Sequence, residues 1–383
     1  SAENPLAPTN TSWTALCDSG AMLAGLAAQN PAAIPAEPVS ETDGMCMAIS
    51  AASGLAAPGL RDLGIDTERN LTKYNPVPKQ TAAMPIDVQM TTPDLAWVNP
   101  VRASFGMDPI VEPADGWPVV IMQHGITSTK EAMLLATGML SINGFATAAI
   151  DYPLHGSRGF DLTGNGIDDI NASTVSTLHY VNLASMLTMR DNTRQSAFDI
   201  FGLRLGLNFF GGVDAMGNPI NINSSKVHFL GHSLGAIYGI NALALANTPL
   251  APQVDALTKI TSNVLAMPGL MLANFGMSSP AFSSLAKSNL VYNSSPDFKA
   301  FVDAQFSGSH TQDQLSALYE GFYASLDDAG RAGLEASFAQ FTLIAQTVTG
   351  SGDPINYVNA LAASQTPTLL IEVVGNGMDN LPD

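Results

Sequence analysis

Charge is what this 383-residue chain has least of: Asp, Glu, Lys and Arg together make up 13% of it, against about a quarter in an average globular protein. Positive charge is scarcer still, with Lys+Arg 15 against Asp+Glu 33, a formal charge of −18 at pH 7 and a pI of about 4.4. That balance excludes the basic footprint of a nucleic-acid-binding protein and argues against docking to anionic lipid through a cationic patch, so any lipid contact has to be apolar. Long hydrophobic runs are missing too. The most apolar stretches are broken by Pro268, Gly269 and Gly276, and none has the length and purity of a membrane span. Cysteine is confined to Cys17 and Cys46, both in the N-terminal segment. Two isolated thiols so placed predict one structural disulfide and an oxidising compartment. No Met or signal peptide opens the chain, which reads as mature or trimmed.

Glycine (33), proline (24) and apolar residues (46%) are plentiful, as in a loop-rich globular protein. The length suits one α/β catalytic core with additions. Residues 1–79 read as an N-terminal extension, with helical patches at Trp13–Cys17 and Ala21–Ala28. Residues 80–274 read as the core, 275–364 as an inserted helical cap, and 365–383 as a return to the core. In the core, Ile86, Val88 and Met90 alternate like a strand, the fully apolar run Val119–Met122 suits a strand buried on both faces of a parallel sheet, and Phe145–Ile150 reads as another apolar strand. A helix is expected over Lys130–Ile142, capped by Ser128 or Thr129, and a long helical region over Val175–Leu207. Further strands are expected at Val264–Met267 and Leu369–Val374, with cap helices at Gln312–Ala324 and Asp327–Thr347, the latter preceded by a capping-box-like Ser325 and Asp328. Strands alternating with helices predict a doubly wound, mostly parallel sheet whose ligands bind beyond the C-terminal strand ends.

Gly231-His232-Ser233-Leu234-Gly235 follows the apolar Val227, Phe229 and Leu230 and opens a small-residue helix over Ala236–Ala246. In that setting G-x-S-x-G is a nucleophile elbow, a strained strand-to-helix turn that lifts the serine Oγ above the sheet. Acyl transfer by Ser233 requires an oxyanion hole, a base, and a carboxylate to orient the base. The hole is assigned to the N–H of Leu234 and an N–H from Gln123-His124-Gly125-Ile126, with Ile126 first and Gly125 second. His124 is expected to organise that loop, His232 to point away from the nucleophile, and His155 to pack the loop after the Asp151 strand. His179 and His228 read as structural, and His310, between cap helices, as an exposed cap residue.

In this fold the acid follows the serine in the chain, so Asp379 or Asp383, after the Leu369 strand, is expected to orient the base. A base histidine is expected after one further strand, and the chain stops at Asp383 first. The sequence therefore reads as the N-terminal part of a longer enzyme. Asp161, Thr163, Asn165, Gly166 and Asp169 fall at calcium-loop offsets, but Ala172 stands where the bidentate Glu belongs, so a polar turn and no metal is expected.

The segments Gln123–Thr127, Asp151–Arg158, Arg190–Gln195, Gly231–Gly235 and Gly352–Tyr357 together resemble the bacterial virulence-factor lipases, over roughly Tyr74 to Asp383. The resemblance implies the α/β-hydrolase fold, a Ser233 nucleophile, an Asp after the Leu369 strand, and a secreted or surface-attached lipase or lysophospholipase of Gram-negative bacteria. It also implies a C-terminal portion carrying the histidine. The expected function is hydrolysis of lipid carboxylic esters without a cofactor, with Met267, Leu270, Met271, Leu272, Phe275 and Met277 lining the acyl site. An amidase or peptidase on the same elbow, or a non-catalytic surface protein on the same fold, are the alternatives.

Overall fold

The computed structural model describes residues 7–55, 59–280 and 282–374. They form two compact units. One spans Thr11–Pro85, and the other runs from Ile86 onward together with the short helix α1 (Ala7–Asn10).

The Thr11–Pro85 unit holds helices α2 (Gly20–Gln29) and α3 (Glu41–Ala52). Its hydrophobic core is small, with Cys17, Cys46 and Leu60 buried and Leu16, Ile49 and Val77 packed against them. Polypeptide of this size buries too little surface to be stable on apolar packing alone. Two further devices hold it. Cys17 and Cys46 form the expected disulfide, with Cα atoms 5.9 Å apart. Buried carboxylates then gather the loops: Asp43 accepts Arg61 Nε at 2.8 Å and Nη2 at 2.7 Å as well as the N–H groups of Val39 and Asp62. The bond from Arg61 outweighs the cost of burial and lowers the Asp43 pKa to about 2. Asp18 likewise accepts the N–H groups of Leu63 and Asp66. The segment Trp13–Cys17, expected to be helical, is instead extended: Ala15 N–H bonds to Arg69 O and Leu16 N–H to Val77 O. Five residues are too few to hold a helix against such pairing.

The larger unit is built on a six-stranded sheet in the order β1-β3-β2-β4-β5-β6, with β1 antiparallel to β3 and every other pair parallel. In chain order its elements are β1 (Val88–Thr91), α4 (Leu95–Ser104), β2 (Trp117–Gln123), α5 (Leu134–Ile142), β3 (Ala146–Ile150), α6 (Met186–Gly206), β4 (Ile222–His232), α7 (Leu234–Asn247), α8 (Pro252–Thr258) and β5 (Ser262–Ala266). After β5 come α9 (Leu272–Ser278), α10 (Ser283–Ser294), α11 (Pro296–Phe306), α12 (Gln312–Ser325), α13 (Asp328–Thr349), α14 (Val358–Ala363) and β6 (Thr368–Ile371). Every residue of β3 is buried, Thr147 included, as suits a strand covered on both faces. This is the doubly wound α/β architecture expected, and its strand order with an elbow after β4 is that of the α/β-hydrolase fold.

Three hydrophobic cores result, the smallest on the other face of the sheet around Val120, Met122, Met133 and Ala149. The first lies along β2, β4 and α7, with Val119, Ile121, Phe229, Ile240 and Leu243 buried at its centre. The second belongs to the helices after β5, where Val291, Phe298, Val302, Leu315, Tyr319 and Phe338 pack together. Helices α9–α13 thus have their own interior. Successive residues of β6 point to opposite faces of the sheet, and Leu369, Leu370 and Ile371 are all exposed.

Three local expectations are corrected. Helix α6 starts at Met186, where the Ser185 side chain accepts the Thr188 N–H, because Asn171 ties down the chain before it by accepting from Val175 and Ser176. The segment over Lys130–Ile142 opens as a 3₁₀ turn, Lys130–Met133, and the Thr129 side chain makes no capping bond. The cap of α13 is Asp327, which accepts the Gly330 N–H, while Ser325 ends α12 and the full capping box is Thr311 with Gln314.

Because both sulfurs are buried in a unit with little other core, a thiol reagent should titrate no cysteine in the native protein, and two after reduction and unfolding. Cys17→Ser should destabilise the Thr11–Pro85 unit by about 2–4 kcal/mol in urea denaturation.

Candidate active site

Ser233 joins β4 to α7 as a single residue with φ 52° and ψ −116°. This left-handed backbone is strained for a side-chain-bearing residue. It is held because the Ser233 N–H donates to Ala266 O at 2.8 Å while its carbonyl accepts the N–H groups of Ala236 and Ile237. Glycine is required on both sides. A Cβ on Gly231 would collide with the Gly235 carbonyl, and one on Gly235 with the carbonyl of Gln123 at the end of β2. Strand, turn and helix can cross this closely only without those side chains.

The loop after β2 lies against the serine: a Cβ added to Gly125 would stand 3.3 Å from Ser233 Cβ. His124, fully buried, sets the direction of this loop. Its Nε2 accepts the Tyr152 N–H at 3.1 Å, so its proton is on Nδ1, which donates to Gly125 O at 2.7 Å. Gly125 O also accepts the Ser128 N–H. A trans peptide carries its C=O and N–H on opposite sides, so anchoring Gly125 O to His124 turns the Ile126 N–H away from the imidazole. Neither Ile126 N–H nor Leu234 N–H donates to an acceptor among the described residues. These are the two donors expected of an oxyanion hole, and the anchored Gly125 carbonyl favours Ile126 over Gly125 as the loop's donor.

Behind the loop stands a buried carboxylate. Asp151 accepts the Lys130 N–H at 2.7 Å, Lys130 Nζ at 2.8 Å, and both the N–H and Oγ of Ser157 at 2.9 Å. Burial would raise its pKa, but the bonds from Lys130 and Ser157 outweigh this and lower it. His124 Nε2 lies 3.8 Å from Asp151 Oδ1. Even so, burial dominates and lowers the His124 pKa, so the ring stays neutral and keeps the tautomer the loop needs. His155 donates from Nδ1 to Pro153 O and packs on Tyr180 at 5.0 Å between ring centroids, with its Nε2 unpaired. Burial pushes its pKa down to about 4.

The other expected residues fall as follows. His232 ends β4 with an exposed side chain near Gly125, and His228 bonds to Ser262 from within β4. His310 packs edge-on against Tyr292 among the cap helices. Asp379 and Asp383 lie outside the described residues, and among the described residues no side chain hydrogen-bonds to Ser233 Oγ. The Asp161 loop is closed by its own backbone, Asp161 accepting the N–H groups of Gly164, Asn165 and Gly166, and no metal-ligating cluster occurs among the described residues.

Ser233, Leu234 and Ile126 open onto a cavity of about 330 Å³. Its wall includes Met267 and Phe275, as expected from the sequence, with Leu272 and Met277. Leu270 and Met271 are instead exposed on the loop before α9. Sequence reasoning missed the α6 and α7 side of the wall, Met186, Met189, Ile237 and Tyr238, and the contribution of Phe341 from α13. Their apolar spacing on those helices reads equally as ordinary core.

No family model and no curated protein matches the sequence. Solved structures match weakly. Est1E from Butyrivibrio proteoclasticus, solved with ferulic acid, is 13% identical over 50% of this chain and 53% of its own, with a TM-score of 0.29. A lipase in open form is 15% identical over 75% and 74% (TM-score 0.33), and an α/β hydrolase from a Penicillium species 12% identical over 76% and 80% (TM-score 0.33). The chain thus spans about half the length of the first of these. Superpositions this loose add nothing to the strand order and elbow geometry, on which the fold assignment rests.

Unfolded imidazole titrates near pH 6.5 and His155 only near 4 in the folded protein. The unfolded chain therefore binds more protons between those values, and stability should fall as pH drops from about 6.5 to about 4. Urea midpoints at pH 7 and pH 5 measure the drop, and His155→Gln should flatten it.

Proposed function

We propose that the chain is the catalytic part of a serine carboxylic-ester hydrolase acting on lipids, a lipase or lysophospholipase resembling the bacterial virulence-factor lipases. The observation that carries this reading is the position of Ser233: at an elbow, beside two free N–H donors, at one wall of an apolar cavity. Ser233 Oγ attacks the ester carbonyl, a base takes the hydroxyl proton, and the carbonyl oxygen becomes an oxyanion between Ile126 N–H and Leu234 N–H. Collapse expels the alcohol, which takes the proton back from the base. Water then attacks the acyl-enzyme by the same route and releases the carboxylic acid.

In this reading the acid is Asp379 or Asp383, and the base is a histidine that the described residues do not bring to Ser233. The buried Cys17–Cys46 disulfide supports a secreted or cell-surface location.

A second reading, a non-catalytic binding protein, is favoured by one observation: no described side chain bonds to Ser233 Oγ. A fluorophosphonate probe separates the two. In the full protein Ser233 should become labelled, and Ser233→Ala should abolish labelling and lower hydrolysis of p-nitrophenyl octanoate by at least about 10³-fold. No labelling and no turnover would leave the binding protein.

A further inference from the structure

The segments Arg190–Arg194 and Gly352–Tyr357 contribute no group to the chemistry above, yet the fold brings them together. The chain leaves the core after β5 through Met267–Met271 and returns through Gly350–Tyr357, so these are the two roots of the cap. Asp353, fully buried, stands between them. Its carboxylate accepts Met271 N–H at 3.1 Å and Leu272 N–H at 2.6 Å from the outgoing root. It also accepts Gln346 Nε2 at 2.8 Å from the end of α13, and Ile355 N–H at 3.0 Å. Met267 and Met271 both have left-handed backbone, φ 58° and 55°. Bulky residues keep that conformation only where neighbours impose it, and at Met271 the bonds to Asp353 do so.

The joint is bolted to the core on two sides. Asn241 of α7 donates from Nδ2 to Gly352 O at 2.8 Å. Gly352 lies so close to α6 that a Cβ would strike Thr193 Oγ1, with Arg190 O next nearest. Arg194 reaches Ser351 Oγ, and Tyr357 Oη donates to Ser351 O at 2.9 Å. Arg190 and Arg194 share Asp191, which holds Arg194 in place. Both roots lead into the cavity lining: Leu272, Ala273 and Phe275 follow the first, while Phe341, Ala345 and Thr349 precede the second.

We propose that Asp353 is a positioning residue that fixes the spacing of α9 and α13 and so determines which acyl chains the cavity accepts. The inference rests on the proposed acyl site. With the roots clamped, the cavity is preformed and little ordering accompanies binding. An Asn at position 353 keeps the shape but offers one acceptor oxygen in place of two and turns its own N–H groups toward the remaining donors.

The test is binding of decanoate, by calorimetry, together with hydrogen exchange at the Met271 and Leu272 amides. Asp353→Asn should raise the decanoate Kd at least tenfold while changing hexanoate binding much less, and should speed exchange at both amides. Adding Gln346→Glu to Asp353→Asn exchanges acid and amide between the two positions, and should recover most of the decanoate affinity. Should Asp353→Asn fail to fold, Gln346→Ala removes one donor from a half-buried side chain and should raise the Kd about threefold. Unchanged decanoate affinity, or equal losses for both chain lengths, overturns the positioning role. Wild-type protein that binds no fatty acid overturns the acyl reading instead. In that case unchanged amide exchange in Asp353→Asn rejects the clamp, and faster exchange retains it.

Discussion

Strand β4 and helix α7 cross with one residue between them, and the rest of the site depends on that crossing. Gly231 and Gly235 remove the side chains that would collide there, and the Ser233 backbone takes up the remaining strain in a left-handed conformation tied to the end of β5. The helix then begins at Leu234, whose N–H has no partner within α7 because a first-turn amide never does. One geometric constraint thus supplies both the raised serine and the first of the two free N–H groups beside it.

The second donor needs a different kind of support. A loop carries no lattice of its own to orient a peptide, so here a buried imidazole does it. His124 can anchor Gly125 O and accept the Tyr152 N–H together only as the neutral Nδ1–H tautomer, and burial favours the neutral ring. Asp151 and Lys130 lie behind it as a buried ion pair. Such pairs contribute little net stability once desolvation is counted, but with Ser157 they hold the loops after β2 and β3 in a single arrangement.

The cap is a second packing problem solved on the same chain. Its helices bury their own core, and where their inner surfaces meet α6 and α7 they do not close, leaving the apolar cavity beside Ser233. An independent core needs fixed roots if the gap is to keep its shape. The polar joint at Asp353 provides them, since hydrogen bonds to a buried carboxylate are directional where apolar contacts are not.

Local chemistry was enough for the sequence to determine the strand-and-helix alternation, the elbow at Ser233, the pairing of Cys17 with Cys46 and the candidate donors Leu234 and Ile126. Each is written in adjacent residues or in a short spacing. The loop before Met186 and the extended backbone at Trp13–Cys17 were not legible, because partners distant in sequence decide them. Nor was the cavity: Met186, Ile237 and Phe341 have the spacing of core residues, and only the packing of α6, α7 and α13 leaves space between them. Tertiary structure alone decided the role of Asp353, whose partners Met271 and Leu272 lie about 80 residues away in the chain. A carboxylate's meaning depends on which amides surround it once it is buried, and sequence spacing does not record that.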